Sequence, residues 1–177
     1  GVILRLNLDG TIPIDNPSPT SAVFASGFRN PQGLAFGNNQ NVYCSDHGPS
    51  KGDEINLILP GRDYGWPCLS GYSHHTEWKC SEVHKSKSEK PLVEWTPTIA
   101  PCGLEYYSKN LIEEWNNSLL LVTLKESDLR VLKLTDDGKQ IVSEEVYLDN
   151  EYGRLRDLCV SVDGRVFVAT SNKDHDE

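Results

Sequence analysis

Gly33-Leu34-Ala35-Phe36, Gly37-Asn38-Asn39-Gln40 and Val42-Tyr43-Cys44-Ser45 make a unit of short strand, polar turn and more apolar strand, closing on a small hydroxyl residue. The arrangement returns twice. Gly103-Leu104-Glu105-Tyr106 leads through a longer connection to Leu119-Leu120-Leu121-Val122-Thr123, and Asp157-Leu158-Cys159-Val160 leads through Asp163-Gly164 to Val166-Phe167-Val168-Ala169-Thr170. Divergent β units spaced by roughly 50 to 70 residues are the mark of a propeller, with one sheet to each blade. A β-sandwich is the competing architecture. Three units are too few to close a ring, so the pattern predicts an all-β chain covering about half of a propeller, roughly three blades.

Upstream of the first unit lies Gly27-Phe28-Arg29-Asn30-Pro31-Gln32. Arg29 offers a planar, permanently charged fork, Asn30 and Gln32 add amide donors and acceptors, and Pro31 stiffens the backbone between them. Further upstream, Val2-Ile3-Leu4-Arg5-Leu6-Asn7-Leu8 alternates from Leu4 onward and predicts a strand, with Asp9-Gly10 as a hairpin turn. Pro13, Pro17 and Pro19 forbid regular structure after it, and Ala22-Val23-Phe24-Ala25 and Ile55-Asn56-Leu57-Ile58-Leu59 read as further strands. Asn110 to Trp115 has the only helix-like pattern, a single short turn.

Composition narrows the function classes. With 37% hydrophobic residues the 177-residue chain can bury a substantial core as one domain, residues 1–177. Its net charge of -9 argues against a nucleic-acid partner, and no stretch has the apolar length of a membrane span. The chain has no methionine and no signal-peptide pattern, which reads as a processed or truncated polypeptide. Five cysteines leave at least one without a partner inside the chain. Cys68 and Cys80 could close a short disulfide, which would favour an oxidising compartment. Cys68, His74, His75, Cys80 and His84 have zinc-site residue types, but their spacing matches no standard finger or ribbon. Asn116-Asn117-Ser118 is a glycosylation sequon of a kind common by chance.

Antiparallel strands alternate direction, so every second connection of a blade falls on the same face. Arg29, Asn30 and Gln32 precede an innermost strand, His47-Gly48-Pro49 and Lys125 follow second strands, and Arg154 and Arg156 precede another innermost strand. All are thereby predicted on one rim. Four cations gathered by an acidic chain suit a planar polycarboxylate.

These residues resemble the soluble quinoprotein sugar dehydrogenases of the glucose/sorbosone dehydrogenase family. The resemblance runs through Gly1-Val2-Ile3-Leu4-Arg5-Leu6-Asn7, Arg29-Asn30-Pro31-Gln32-Gly33-Leu34-Ala35-Phe36, and His47-Gly48-Pro49 with Asp53-Glu54-Ile55-Asn56-Leu57-Ile58. It continues through Tyr64-Gly65-Trp66-Pro67, Ala100-Pro101-Cys102-Gly103-Leu104 and Arg154-Leu155-Arg156-Asp157, spanning nearly the whole chain. It implies a six-bladed propeller, of which this chain is the C-terminal half, with pyrroloquinoline quinone and calcium as cofactors. By the same resemblance Arg29, Asn30 and Gln32 contact the quinone, Arg29 also stabilising negative charge on its oxygen during reduction. Lys125, Arg154 and Arg156 would meet the quinone carboxylates and carbonyls. Gly48 and Pro49 would offer carbonyls to the cofactor calcium, and Glu54 and the Tyr64 carbonyl would serve a second calcium.

In the family a hydride passes from aldose C1 to the quinone while a histidine takes the hydroxyl proton, and an external acceptor then collects the electrons. None of His47, His74, His75, His84 or His175 matches that histidine's motif, which belongs to the half of the propeller before Gly1. Cys102 stands where relatives tend to carry serine. The implied protein is a periplasmic or secreted oxidoreductase, inactive as this half alone. The alternative is a non-catalytic extracellular propeller resembling the hedgehog-interacting proteins, whose face binds a protein partner.

Overall fold

The computed structural model describes residues 1–74, 80 and 87–171. Strands β1 (Val2–Leu4) and β2 (Val23–Ser26) form an antiparallel pair. Next come β3 (Pro31–Phe36), β4 (Val42–Asp46), β5 (Asp53–Ile58), the small hairpin β6 (Leu69–Ser70) and β7 (Ser73–His74), and β8 (Val93–Trp95). The order β3-β4-β5-β8 is the first complete blade, antiparallel throughout. The second is β9 (Pro101–Tyr107), β10 (Ser118–Thr123), β11 (Leu129–Leu134) and β12 (Ile141–Tyr147), in sequence order. Finally β13 (Leu155–Val160) pairs with β14 (Val166–Thr170). The three sequence units are β3–β4, β9–β10 and β13–β14, and the sheets do not close a ring. The first strands of successive sheets, β3, β9 and β13, pack side by side in turn, as blades around an axis do and the two faces of a sandwich do not.

Strand periodicity explains the layering. Along β10, Leu119 and Leu121 point into the layer shared with the first blade, where Ala35, Tyr43, Ile55 and Leu104 are buried. Leu120 and Val122 point the other way, into the layer with Tyr107, Leu155 and Leu158. All six residues of β10 are buried, which is why it reads as an uninterrupted apolar run. Burying its three leucines and Val122 contributes about 6–12 kcal/mol as an upper bound. A third layer, with Ile3, Ala25, Phe28, Cys44, Ile58 and Tyr64, joins β1–β2 to the first blade.

The innermost strands approach closely. A Cβ at Gly33 would lie 2.6 Å from the Cys102 carbonyl oxygen and 2.7 Å from the Leu104 nitrogen, and one at Gly103 would lie 2.9 Å from the Asp157 Cα. Glycine at the head of the first two units is thus a packing requirement. Ser45 Oγ, fully buried, accepts from Gly33 N (2.9 Å) and donates to the Cys102 carbonyl (2.8 Å), tying β4 to β9. On the opposite rim the Tyr43 hydroxyl donates to Gly138 O (2.7 Å) and the Tyr107 hydroxyl to Gly164 O (2.8 Å). At the outer edge Arg130 pairs with Asp128 (2.8 Å) and Glu144 (2.5 Å) and lies over the Trp95 ring of the first blade.

Several expectations shift. The first strand stops at Leu4 instead of running on to Leu8, because Leu6 and Leu8 find no layer to enter and stay exposed. The Asp9-Gly10 turn forms, closing Asn7 against Thr11, but joins no hairpin. The turn near Trp115 is a 3-10 helix, Glu113–Trp115. Cys68 and Cys80 are disulfide-bonded, which removes them from any zinc set. His75, His84 and His175 lie outside the described residues, as does the side chain of His74. At the sequon, the Asn116 amide donates to Lys109 O and Asn110 Oδ1, and Ser118 is fully buried.

Candidate functional site

The one-rim expectation can be followed loop by loop. His47 after β4, Ala100 before β9, Leu124, Lys125 and Ser127 after β10, and Arg154 before β13 line one pocket of about 500 Å³. Four connections from three successive sheets therefore meet there. Ala100 and Ser127 are non-glycine residues in the left-handed region, at φ 57° each. Such backbone costs about 1 kcal/mol or more and persists where surrounding contacts over-determine it. Lys125 Nζ donates to Thr98 O (2.7 Å), while Arg154 is solvent-exposed on the same side.

Arg29 reaches this rim from the β2–β3 connection. Its Nη1 donates to the His47 carbonyl (2.8 Å) and the Gly48 carbonyl (3.0 Å), and its guanidinium lies over the Trp66 ring. Its loop is set by Asp46, at the end of β4, whose carboxylate accepts from Arg29 N (2.9 Å) and Asn30 N (2.6 Å). Burial pushes the Asp46 carboxyl up from its usual range, against the pull of those two amides. Gln32 Nε2 donates to Asn30 Oδ1 (3.0 Å), so these two amides pair with each other beside Pro31.

Asp53 starts β5 and is fully buried. Its Oδ1 accepts from Gly48 N (2.7 Å) and lies 3.3 Å from His47 Nδ1; its Oδ2 accepts from Ile99 N (2.6 Å) and Ala100 N (2.9 Å). His47 Nδ1 also lies 2.6 Å from Gly48 O. Two acceptors around one ring nitrogen favour a proton at Nδ1.

Arg156, exposed on β13, points its Nη1 at Cys102 Sγ (3.6 Å) and stays outside the pocket lining. Glu54 and Tyr64 also lie apart from it. Glu54 is buried between cross-strand neighbours Asp46 and Glu94, accepting from Asn56 Nδ2 (2.9 Å) and Gly71 N. Burial raises its carboxyl to about 7, with Asp46 and Glu94 adding to the rise. Tyr64 stacks on Phe28 with ring centroids 4.5 Å apart, and its hydroxyl bonds Leu57 O (2.5 Å); burial raises that hydroxyl to about 12.

The donor set suits an anionic planar ligand: Lys125 and Arg154 line one hollow from two loops, with His47 beside them. For calcium the oxygen type is right at Gly48, but its carbonyl already accepts from Arg29, so a cation there would have to displace or share that contact. Among the described residues no group of three or more His, Cys, Asp and Glu side chains could hold a metal. The residues that sequence reading left without a role are Asp46, Asp53 and Trp66. Asp53 was visible only as a member of a motif, since its partners Ile99 and Ala100 lie in another blade.

A family model for glucose/sorbosone dehydrogenase matches residues 1–176. Quinoprotein glucose dehydrogenase B of Acinetobacter calcoaceticus is 32% identical over 97% of this chain and 48% of its own length. The aldose sugar dehydrogenase YliI of Escherichia coli K12 is 30% identical over 96% of this chain and 48% of its own length. The PQQ-bound aldose sugar dehydrogenase of Streptomyces coelicolor superposes with a TM-score of 0.79 at 31% identity, covering 99% of this chain and 47% of that one. The chain thus spans about half the length of these relatives, and none of them supports the reading as a protein-binding module. With two complete blades, two partial ones and this match along its whole length, the chain belongs to the glucose/sorbosone dehydrogenase family.

Proposed function

We propose that this chain is the C-terminal half of a pyrroloquinoline quinone-dependent aldose sugar dehydrogenase that oxidises its sugar at C1 and passes electrons to an external acceptor. The observation that carries the reading is the pocket in which His47, Lys125 and Arg154 converge from three sheets, in a chain of this family. Arg29, Asn30, Gln32, Lys125, Arg154 and Arg156 are the quinone-holding set. When bound, the quinone supplies a two-electron acceptor for the hydride of the aldose.

The work of the chain's own residues is binding and orientation. Lys125 and Arg154 offset carboxylate charge in the pocket. Arg29 sets a fixed positive charge over the rim where negative charge would develop. Trp66 and the two carbonyls that Arg29 already meets hold that fork in place. The Gly48 and Pro49 carbonyls would hold the cofactor calcium, the Gly48 oxygen being shared with Arg29, and Glu54 with the Tyr64 carbonyl would serve a second calcium. The proton-accepting histidine comes from the other half of the propeller, which makes that half an obligatory partner. The Cys68–Cys80 disulfide supports an extracytoplasmic location. Among the described residues no helix is long and apolar enough to cross a membrane.

The test is titration of the protein with both propeller halves present, using pyrroloquinoline quinone and calcium, followed by dye reduction with a panel of aldoses. Lys125→Ala and Arg29→Ala are expected to weaken quinone binding at least tenfold. A folded, calcium-loaded protein that binds no quinone overturns the proposal.

A further inference from the structure

We propose that Asp53 is the positioning residue of the cradle: its buried carboxylate locks the His47–Gly48 loop of the first blade to the Ile99–Ala100 turn leading into the second, and through that turn fixes Lys125. The inference rests on the cradle reading above for its ligand, but not for its geometry.

The carboxylate is fully buried, and its oxygens take three backbone N–H groups with a ring nitrogen beside them. Gly48 N and His47 Nδ1 lie on one oxygen, and Ile99 N and Ala100 N on the other. Those two oxygens join the first blade to the turn that enters the second, Asp53 and Ile99 being 46 positions apart in sequence. The turn passes the constraint on. Ile99 O accepts from Lys125 N (3.1 Å), and Ala100 O accepts from Leu124 N (2.9 Å). The left-handed Ala100, at φ 57°, turns its amide onto the carboxylate, so the clamp over-determines a backbone that alanine would otherwise leave. On its other side the clamped loop presents the His47 and Gly48 carbonyls to Arg29. One carboxylate therefore sets the relative positions of a calcium-ligand loop, the lysine and the arginine.

An ionised carboxylate offers only acceptors, whereas an amide offers one oxygen and an NH₂ group. Whichever way the amide of an Asp53→Asn variant turned, its NH₂ would face a backbone N–H. The substitution thus keeps shape and volume while releasing one side of the clamp.

The experiment compares Asp53→Asn with Tyr43→Phe, which removes a buried inter-blade hydrogen bond on the opposite rim. Two readouts are taken: amide hydrogen exchange at Gly48, Ile99 and Ala100, and pyrroloquinoline quinone affinity by absorbance titration. Asp53→Asn is expected to speed exchange at those amides at least tenfold and weaken quinone binding at least tenfold. Tyr43→Phe lowers thermal stability but leaves both readouts within twofold. Unchanged exchange in Asp53→Asn overturns the proposal, as does an equal loss of quinone affinity in Tyr43→Phe. If the wild-type protein binds no quinone, the exchange data still decide the clamp, and only the proposed function falls. If Asp53→Asn does not fold, exchange in the wild-type protein decides: the three amides exchange as slowly as those of β10 if the clamp holds, and at least a hundredfold faster if it does not.

Discussion

Replacing Ser45 by alanine takes away one oxygen atom and strands two backbone groups. The hydroxyl is fully buried, accepts from Gly33 N at 2.9 Å and donates to the Cys102 carbonyl at 2.8 Å, so it bridges β3, β4 and β9 at once. No methylene is lost, so the transfer and cavity contributions are small. What remains is desolvation: each orphaned buried donor or acceptor costs roughly 1–3 kcal/mol, less where a water can enter. We expect about 2–4 kcal/mol for Ser45→Ala, a large share of the 5–15 kcal/mol typical of a folded domain. With a urea m-value of about 2 kcal/mol/M, the unfolding midpoint falls by roughly 1–2 M while the slope stays the same. Because the bonds are neutral, the shift is the same at low and high salt. A midpoint change under about 0.25 M would show that the hydroxyl bridge is not holding the innermost strands together, and would refute the reasoning.

Of the three free thiols, Cys159 is exposed and Cys44 and Cys102 are buried, so a thiol reagent should label Cys159 alone in the folded protein and the other two only after denaturation. Burial pushes the Cys44 thiol above its ordinary range, with Asp46 and Glu54 adding to the effect, and raising the pH to about 9 should not recruit it; fast labelling of Cys44 would contradict its burial. Gly103→Ala sets a Cβ 2.9 Å from the Asp157 Cα, and overpacking of this kind costs about 1–3 kcal/mol, read as a lower thermal midpoint. A Gly103→Ala variant as stable as the wild type would mean that β9 and β13 can move apart freely.

The inner strands β4, β9 and β10 were legible because they are buried along most of their length. The outermost strands were not. β12 has only its two end residues partly buried, and its Ser143-Glu144-Glu145 centre faces water, so no hydrophobic period marks it. β8 is only three residues long. The early strand misled in the other sense, since Leu6 and Leu8 continue an apolar alternation that packs against nothing. At the site, strand parity alone was enough to bring His47, Lys125 and Arg154 to one rim. The pairing of Arg29 with its neighbouring carbonyls, and the work of Asp46 and Asp53, depend on contacts between separate strands and blades. No local pattern encodes those.

The tyrosine contacts on the far rim have a direction. Tyr43 in the first blade donates to a turn of the second, and Tyr107 in the second donates to a turn of the sheet that follows, so each blade supplies the donor and its successor the acceptor. Each hydroxyl lies in the layer between its own blade and the next, Tyr43 with Leu119 and Leu121 and Tyr107 with Leu155 and Leu158. The turns that accept from them, at Gly138 and Gly164, are buried as well. A substitution that removes one of these hydroxyls therefore leaves its unmet carbonyl in the sheet that follows, so a defect made in one blade is felt in its successor.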